Sequence, residues 1–170
     1  MLKEKVELAL NKQIELEAYS SQLYLSMASW AEKNGYPGIS AFLYKHSEEE
    51  RIHMLKLFHF INDREGHGIV PALQQPPSLF ESVRAIFDQI LEHERFISES
   101  INTLVGVCME SNDFSTQNFL QWYVNEQIEE ENLAKTNIDK LKLMGEANMY
   151  LFDKDMQSLS ALTDEEPAAE

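Results

Sequence analysis

A single cysteine, Cys108, stands in the whole chain, so no intrachain disulfide can form. Basic residues are scarce as well: 14 Lys and Arg face 29 Asp and Glu, a formal net charge of −15. That argues against a nucleic-acid binder, which neutralises phosphates with clustered Lys and Arg, and against an anionic membrane surface. Cations, by contrast, are drawn to such a protein. No apolar run is long enough to cross a bilayer, and the opening MLKEKVELAL lacks the apolar segment of a secretion signal. The expectation is a reducing, cytoplasmic setting, with neither nucleic acid nor membrane as partner. The 6 glycines and 5 prolines fall mostly in short clusters, leaving long tracts nearly free of both.

Those tracts carry helical periodicity. In the first, Val6, Leu10, Ile14, Glu17, Tyr24, Ala28 and Ala31 recur at steps of three, four or seven. The second runs Ile39, Leu43, His46, Glu50, His53, Leu57 and Phe60, and the third runs Val83, Phe87, Ile90, Glu94, Ile97, Ile101, Leu104 and Cys108. Cys108 on that stripe reads as a small core residue. In the fourth tract Phe119, Tyr123, Glu126, Glu130, Leu133, Asn137, Leu141 and Met144 share a face. The first stripe alone, residues 6–31, spans about 39 Å at roughly 1.5 Å per residue. Long antiparallel helices of this kind make an all-α four-helix bundle.

Each stripe holds a glutamate where a core residue is due: Glu17, Glu50, Glu94 and Glu130. Glu50 is followed three residues on, one turn along the same face, by His53. A buried, unpaired carboxylate costs on the order of several kcal/mol, and a domain of this size is stable by only roughly 5–15 kcal/mol. No Lys or Arg stands on the stripes to pair with the acids. A bound polycation is the economical answer, and oxygen-rich ligation with one imidazole suits Fe, Mn or Zn. The bland alternative is a small rotation that brings one glutamate to a solvated boundary; four glutamates at matching depth, with a histidine in register, count against it.

Asn34-Gly35 and Pro37-Gly38 end the first helix in a tight turn. The second ends near Gly66, and residues 67–77, with Pro71, Pro76 and Pro77, form a connection long enough to run the length of a bundle. Ser78 with Glu81 reads as a capping box opening the third helix. A long connection between helices two and three is the crossover topology of ferritin-like folds. Asn112-Asp113 precedes the fourth helix and Gly145 ends it. A short fifth C-terminal helix follows, with Met149, Phe152, Met156 and Leu159 on one face. With four helices already closing a bundle, that face is expected to pack on other subunits; docking on the end of its own bundle is the alternative. The domain is expected over residues 1–162, with a disordered acidic tail at 163–170.

A di-metal carboxylate bundle takes one Glu from each of two helices and a Glu-x-x-His from each of the other two. Here Glu17 and Glu94 are the single acids and Glu50-x-x-His53 is one motif, but helix four offers Gln127-x-x-Glu130. The segments YSSQLYLSMASW, AFLYKHSEEERIHM and FLQWYVNEQIEEE resemble the helices of bacterial non-haem ferritins, over residue 1 to about 160. The resemblance implies a first iron held by Glu17, Glu50 and His53 and a second held by Glu50, Glu94 and Glu130, with Glu50 bridging. It also implies that Tyr24 and Gln127 flank the pair, and that Glu49, Glu126 and Glu129, with Glu130 shared, form an accessory third iron site. On spacing alone those three acids are merely solvated, and Tyr24 and Trp122 are plain core aromatics. The implied activity is ferroxidase: Fe(II) oxidised by dioxygen or hydrogen peroxide, and ferric oxide deposited inside a homo-oligomeric shell of twenty-four subunits.

Departures refine the picture. Bacterioferritins hold haem through a methionine just after the helix-two Glu; Arg51 occupies that slot, and the second Glu-x-x-His is missing, so no haem is expected. Gln117 and Leu120 stand where animal ferritins carry an acidic pore pair, so that iron entry route does not transfer. His46 reads as a hydrogen-bonded structural residue, with support of the ligands as the alternative; His59, His67 and His93 read as surface or loop residues. A rubrerythrin-like or oxygenase-type di-iron enzyme is the competing function, and a non-catalytic helical assembly protein a third.

Overall fold

The computed structural model describes residues 2–162, so the acidic tail expected at 163–170 lies outside the described residues. Among them all regular structure is helical: α1 (Glu4–Lys33), α2 (Pro37–Asp63), α3 (Val83–Glu110), α4 (Phe114–Phe119), α5 (Gln121–Met144) and α6 (Met149–Leu162). A single 3-10 turn, Glu146–Asn148, joins α5 to α6. The stripes of α1 and α3 are buried at every position named from the sequence. On α2 only Phe60 is less than fully buried.

Local chemistry sets the helix ends. Gly35 takes the left-handed region at φ +82°, which a side chain resists, and Pro37 opens α2 at a position where no amide donor is needed. After α3, Asn112 adopts φ +51°, and the Asp113 N–H returns to the Cys108 carbonyl at 2.9 Å. The Asp113 carboxylate then accepts the Thr116 N–H at 3.1 Å and caps α4. The start of α3 differs from the expected capping box: Ser82, not Ser78, is the N-cap and accepts from the Ala85 N–H at 3.1 Å. Residues 77–81 are instead held to α1, where Ser26 donates to the Pro77 carbonyl at 2.5 Å and Phe80 packs edge-on to Trp30.

The long connection does run along the bundle. Near the start of α1 the His67 N–H donates to Glu7 at 2.9 Å and the Ile69 N–H to Asn11 at 2.7 Å, while Pro77 sits by Ser26. Two apolar clusters fill the interior. One gathers Val6, Leu10 and Ile14 with Leu57, Ile61, Ile101, Leu104 and Tyr123; the other gathers Leu23, Met27 and Ala31 with Ile39, Leu43, Phe87, Ile138 and Leu141. These groupings make α1 antiparallel to α2 and α3 antiparallel to α5. Glu17, Glu50, His53, Glu94 and Gln127 fall between the clusters in sequence on every helix, so they form one polar layer across the middle of the bundle.

Two expectations need correction. The fourth helix is broken at Leu120 into α4 and α5, and its innermost face carries Tyr123, Gln127, Ala134, Asn137, Ile138 and Leu141. Gln127 takes the deepest place, while Glu126 and Glu130 flank it half-buried, because Leu120 in the first cluster turns α5 away from the register read from Phe119. The α6 face does not await other subunits: Phe152 and Met156 are fully buried in the second cluster, with Phe152 edge-on to Phe87. Asp153 accepts the Ile39 N–H at 2.9 Å and so satisfies a free donor at the start of α2. A β-carbon on Gly38 would fall 1.9 Å from the Asp153 carbonyl, which is why this close approach needs glycine.

Candidate metal centre

The middle layer gathers carboxylates whose charged form burial opposes. Glu17 and Glu94 are 0 % exposed and Glu50 5 %, while Glu130 stands at the edge. Desolvation, followed by the charge of Glu50, lifts Glu17 well above the usual carboxylate range. Glu50 is lifted by burial and then by Glu94, and Glu130 is pushed up to about 9 by burial and then by Glu94. Glu94 is raised by burial as well, although hydrogen bonds from Tyr24 and Gln127 pull against the shift.

Two groups of donors converge. Glu17, Glu50 and His53 each point one ligand atom to within 4.8 Å of the others: His53 Nδ1 is 3.5 Å from Glu50 Oε2 and 4.0 Å from Glu17 Oε2. Both Glu17 Oε2 and His53 Nδ1 are buried with no hydrogen-bond partner. Such orphaned atoms are costly in a dry interior unless something binds them, and a cation at their centre satisfies both. His46, Glu49 and Glu130 form the second group, with His46 Nδ1 at 3.5 Å from Glu49 and Nε2 at 3.7 Å from Glu130. Glu94 lies across the layer, with Tyr24 Oη donating to Oε1 and Gln127 Nε2 donating to Oε2 at 3.0 Å. Burial and the neighbouring Glu94 keep Tyr24 protonated, raising it well above its ordinary value.

A cleft of about 430 Å³ opens onto the second group and is lined by His46, Glu49, Glu126, Glu129, Glu130 and Leu133. Thus all ten residues singled out from the sequence reach either the layer or this mouth. Glu126 and Glu129 only line the cleft and are not drawn into a converging group. His46 is more than a spacer: its ring meets Phe42 and Tyr24, Nδ1 is an orphan, and burial holds it down to about 4. His93 was expected at the surface but is partly buried, 2.8 Å from Ser20 Oγ and against Tyr19, and burial lowers it to about 4. Its place beside Glu94 on an otherwise polar face gave no periodic signal. His59 and His67 are exposed as read. Trp122 stacks on Tyr123, beside His53, under the Lys56 ammonium. Sequence reasoning missed Gln13, which is 1 % exposed and donates to Glu17 Oε1 at 2.6 Å. Its spacing of four before Glu17 was the available clue.

An antiparallel bundle with a long crossover, carrying carboxylates and an imidazole at its waist, belongs to the class of ferritin-like carboxylate metalloproteins. The ferritin-like domain family matches residues 7–144. A bacterial non-heme ferritin of Campylobacter jejuni is 43 % identical over 162 residues, 94 % of this chain and 97 % of the relative. One from Escherichia coli is 39 % identical over 161 residues, 94 % of this chain and 98 % of the relative. The open pore ferritin of the archaeon Archaeoglobus fulgidus superposes with a TM-score of 0.90 at 41 % identity, covering 92 % of this chain and 96 % of its own. The chain belongs to the ferritin family.

Proposed function

We propose that this chain is the subunit of an iron-storage ferroxidase, which binds Fe(II) at its waist, oxidises it and deposits ferric oxide inside a homo-oligomeric shell. The observation that carries the reading is the pair of orphaned ligand atoms, Glu17 Oε2 and His53 Nδ1, in a layer of buried acids with raised proton affinity. Iron here is substrate and cargo. Glu17, Glu50 and His53 hold the first ion; Glu50, Glu94 and Glu130 hold the second. Each Fe(II) gives up one electron, and the pair together reduces dioxygen or hydrogen peroxide by two. Carboxylate oxygens favour the ferric product over the ferrous substrate. Tyr24 supplies a further electron while passing its proton to Glu94, a role that its hydrogen bond to that carboxylate supports.

Glu130 stands in the second group and is also a ligand of the second ion, so ions pass between the centre and an accessory third iron site at the mouth, formed by Glu49, Glu126, Glu129 and Glu130. Having one imidazole among oxygens, and Gln127 rather than a second bridging glutamate on helix four, the centre releases ferric ions instead of retaining them as a fixed cofactor. For the same reason a rubrerythrin-like or oxygenase-type enzyme is not favoured. Arg51 is exposed at the slot where a haem-binding methionine would stand, and the proposed protein carries no haem. Assembly into a shell of twenty-four cytoplasmic subunits completes the proposal; no helix of the described residues is long and apolar enough to cross a membrane.

The test is aerobic addition of Fe(II) to the purified, metal-free protein. Soluble ferric oxide far beyond two irons per chain, in a particle of shell size, is the expected outcome. Saturation at two irons per chain, with no further uptake, contradicts storage.

A further inference from the structure

Behind Glu17, on the side away from His53, runs a short hydrogen-bonded chain that takes no part in holding the ions. The Ser100 hydroxyl on α3 donates to Gln13 Oε1 at 2.8 Å, and Gln13 Nε2 donates to Glu17 Oε1 at 2.6 Å. Gln13 is 1 % exposed and Ser100 half-buried, so the chain crosses from α1 to α3 within the interior. An amide has a donor end and an acceptor end. An ionised carboxylate only accepts, so Glu17 takes the NH2 end of the amide, and the Ser100 hydroxyl, which can donate or accept, satisfies the carbonyl end. Ser100 therefore anchors Gln13 by its carbonyl.

The consequence lies on the other oxygen. With Oε1 engaged by Gln13, Oε2 is the Glu17 oxygen that stands 4.0 Å from His53 Nδ1, and it is the atom left without a hydrogen-bond partner. Glu94 differs, since both of its oxygens accept hydrogen bonds, from Tyr24 and Gln127. We propose that Gln13 is a positioning residue that restricts Glu17 to ligating the first iron through one oxygen, with Ser100 anchoring the Gln13 amide by its carbonyl. A hydrogen bond donated to the ionised carboxylate also favours the form that ligates. One-oxygen ligation leaves the first ion three protein ligand atoms, keeping positions open for the oxidant and for departure of the product.

The inference rests on the assignment of Glu17, Glu50 and His53 to the first ion, so its test separates the two. Co(II) is the probe, titrated without oxygen and followed by its visible absorption. Glu94→Ala weakens the second position, leaving one Co(II) per chain to report on the first. In that background Gln13→Met, whose thioether matches the amide in length but cannot donate, weakens Co(II) binding about tenfold. Ser100→Ala weakens it a few-fold, and the two changes together are no worse than Gln13→Met alone, because Ser100 acts only through Gln13. Unchanged affinity in Gln13→Met, or effects that multiply, overturns the proposal. Loss of all Co(II) binding in Glu94→Ala condemns the ligand division instead, and the same cycle is then read on the first Co(II) bound by the otherwise intact chain. Ser100→Ala removes only a half-buried hydroxyl, so it decides the matter even if Gln13→Met fails to fold.

Discussion

Raising the pH of the metal-free protein should destabilise it, and Glu130 supplies the magnitude. Its carboxyl ionises near pH 4.5 in the unfolded chain and at about 9 in the fold, where burial and then Glu94 oppose the charge. A group whose folded value is raised lends its stability fully below the unfolded value and loses it as pH climbs toward the folded one. Between pH 7.0 and 8.5 the loss from this one group is about 1.4 kcal/mol per pH unit, or about 2 kcal/mol. At roughly 2–4 °C per kcal/mol for a chain of this size, the midpoint falls by about 4–8 °C. The window avoids the histidines: His46 and His93 sit at about 4, so their contribution changes between about 4 and 6.5, with the opposite sign. Thermal scans in chelator at the two pH values, on the wild type and Glu130→Gln, isolate the effect, since the general charge repulsion is common to both. The reasoning fails if both proteins show the same pH slope, or if the metal-free wild type gains stability from pH 7.0 to 8.5. Saturating Zn(II) should abolish the slope, because ligation takes the ionised form.

Glu94→Ala should leave one metal equivalent of near-normal affinity and slow Fe(II) oxidation severalfold or more, measured by anaerobic titration and by stopped-flow absorbance; loss of both equivalents would show the ligands wrongly divided. Tyr24→Phe removes the hydroxyl that donates to Glu94 while keeping the ring in place. It should change the oxidation time course and raise the hydrogen peroxide released per iron, and an identical time course would end the case for Tyr24 as an electron donor. Phe152→Ala should cost about 3–5 kcal/mol by opening the second apolar cluster, read from denaturant unfolding; a loss under 1 kcal/mol would mean α6 does not dock on its own bundle in solution.

Helix existence was legible because three of the four stripes hold period 3.6 for six or more turns and every member is buried or nearly so. The fourth was misread at its inner edge. Polar residues dominate that helix, so no apolar run marked which neighbour of Glu126 points deepest, and only packing around Leu120 put Gln127 there. The capping box at Ser78 failed because Ser82 offers the same chemistry four residues later, and the contacts of Phe80 and Pro77 with α1 chose between them.

By itself the chain determined that four long helices meet with a carboxylate in each and a histidine one turn from one of them, since spacing along a helix is a local property carried by residue type. Its net charge of −15 carries the expectation that polyanions are not partners. Which oxygens and nitrogens converge, that Gln13 and Ser100 lie behind Glu17, that His93 is half-buried, and that α6 closes its own bundle were decided only in three dimensions. Those facts depend on residues tens of positions apart on separate helices, whose relative rotation and depth are settled by packing the two apolar clusters around the polar layer.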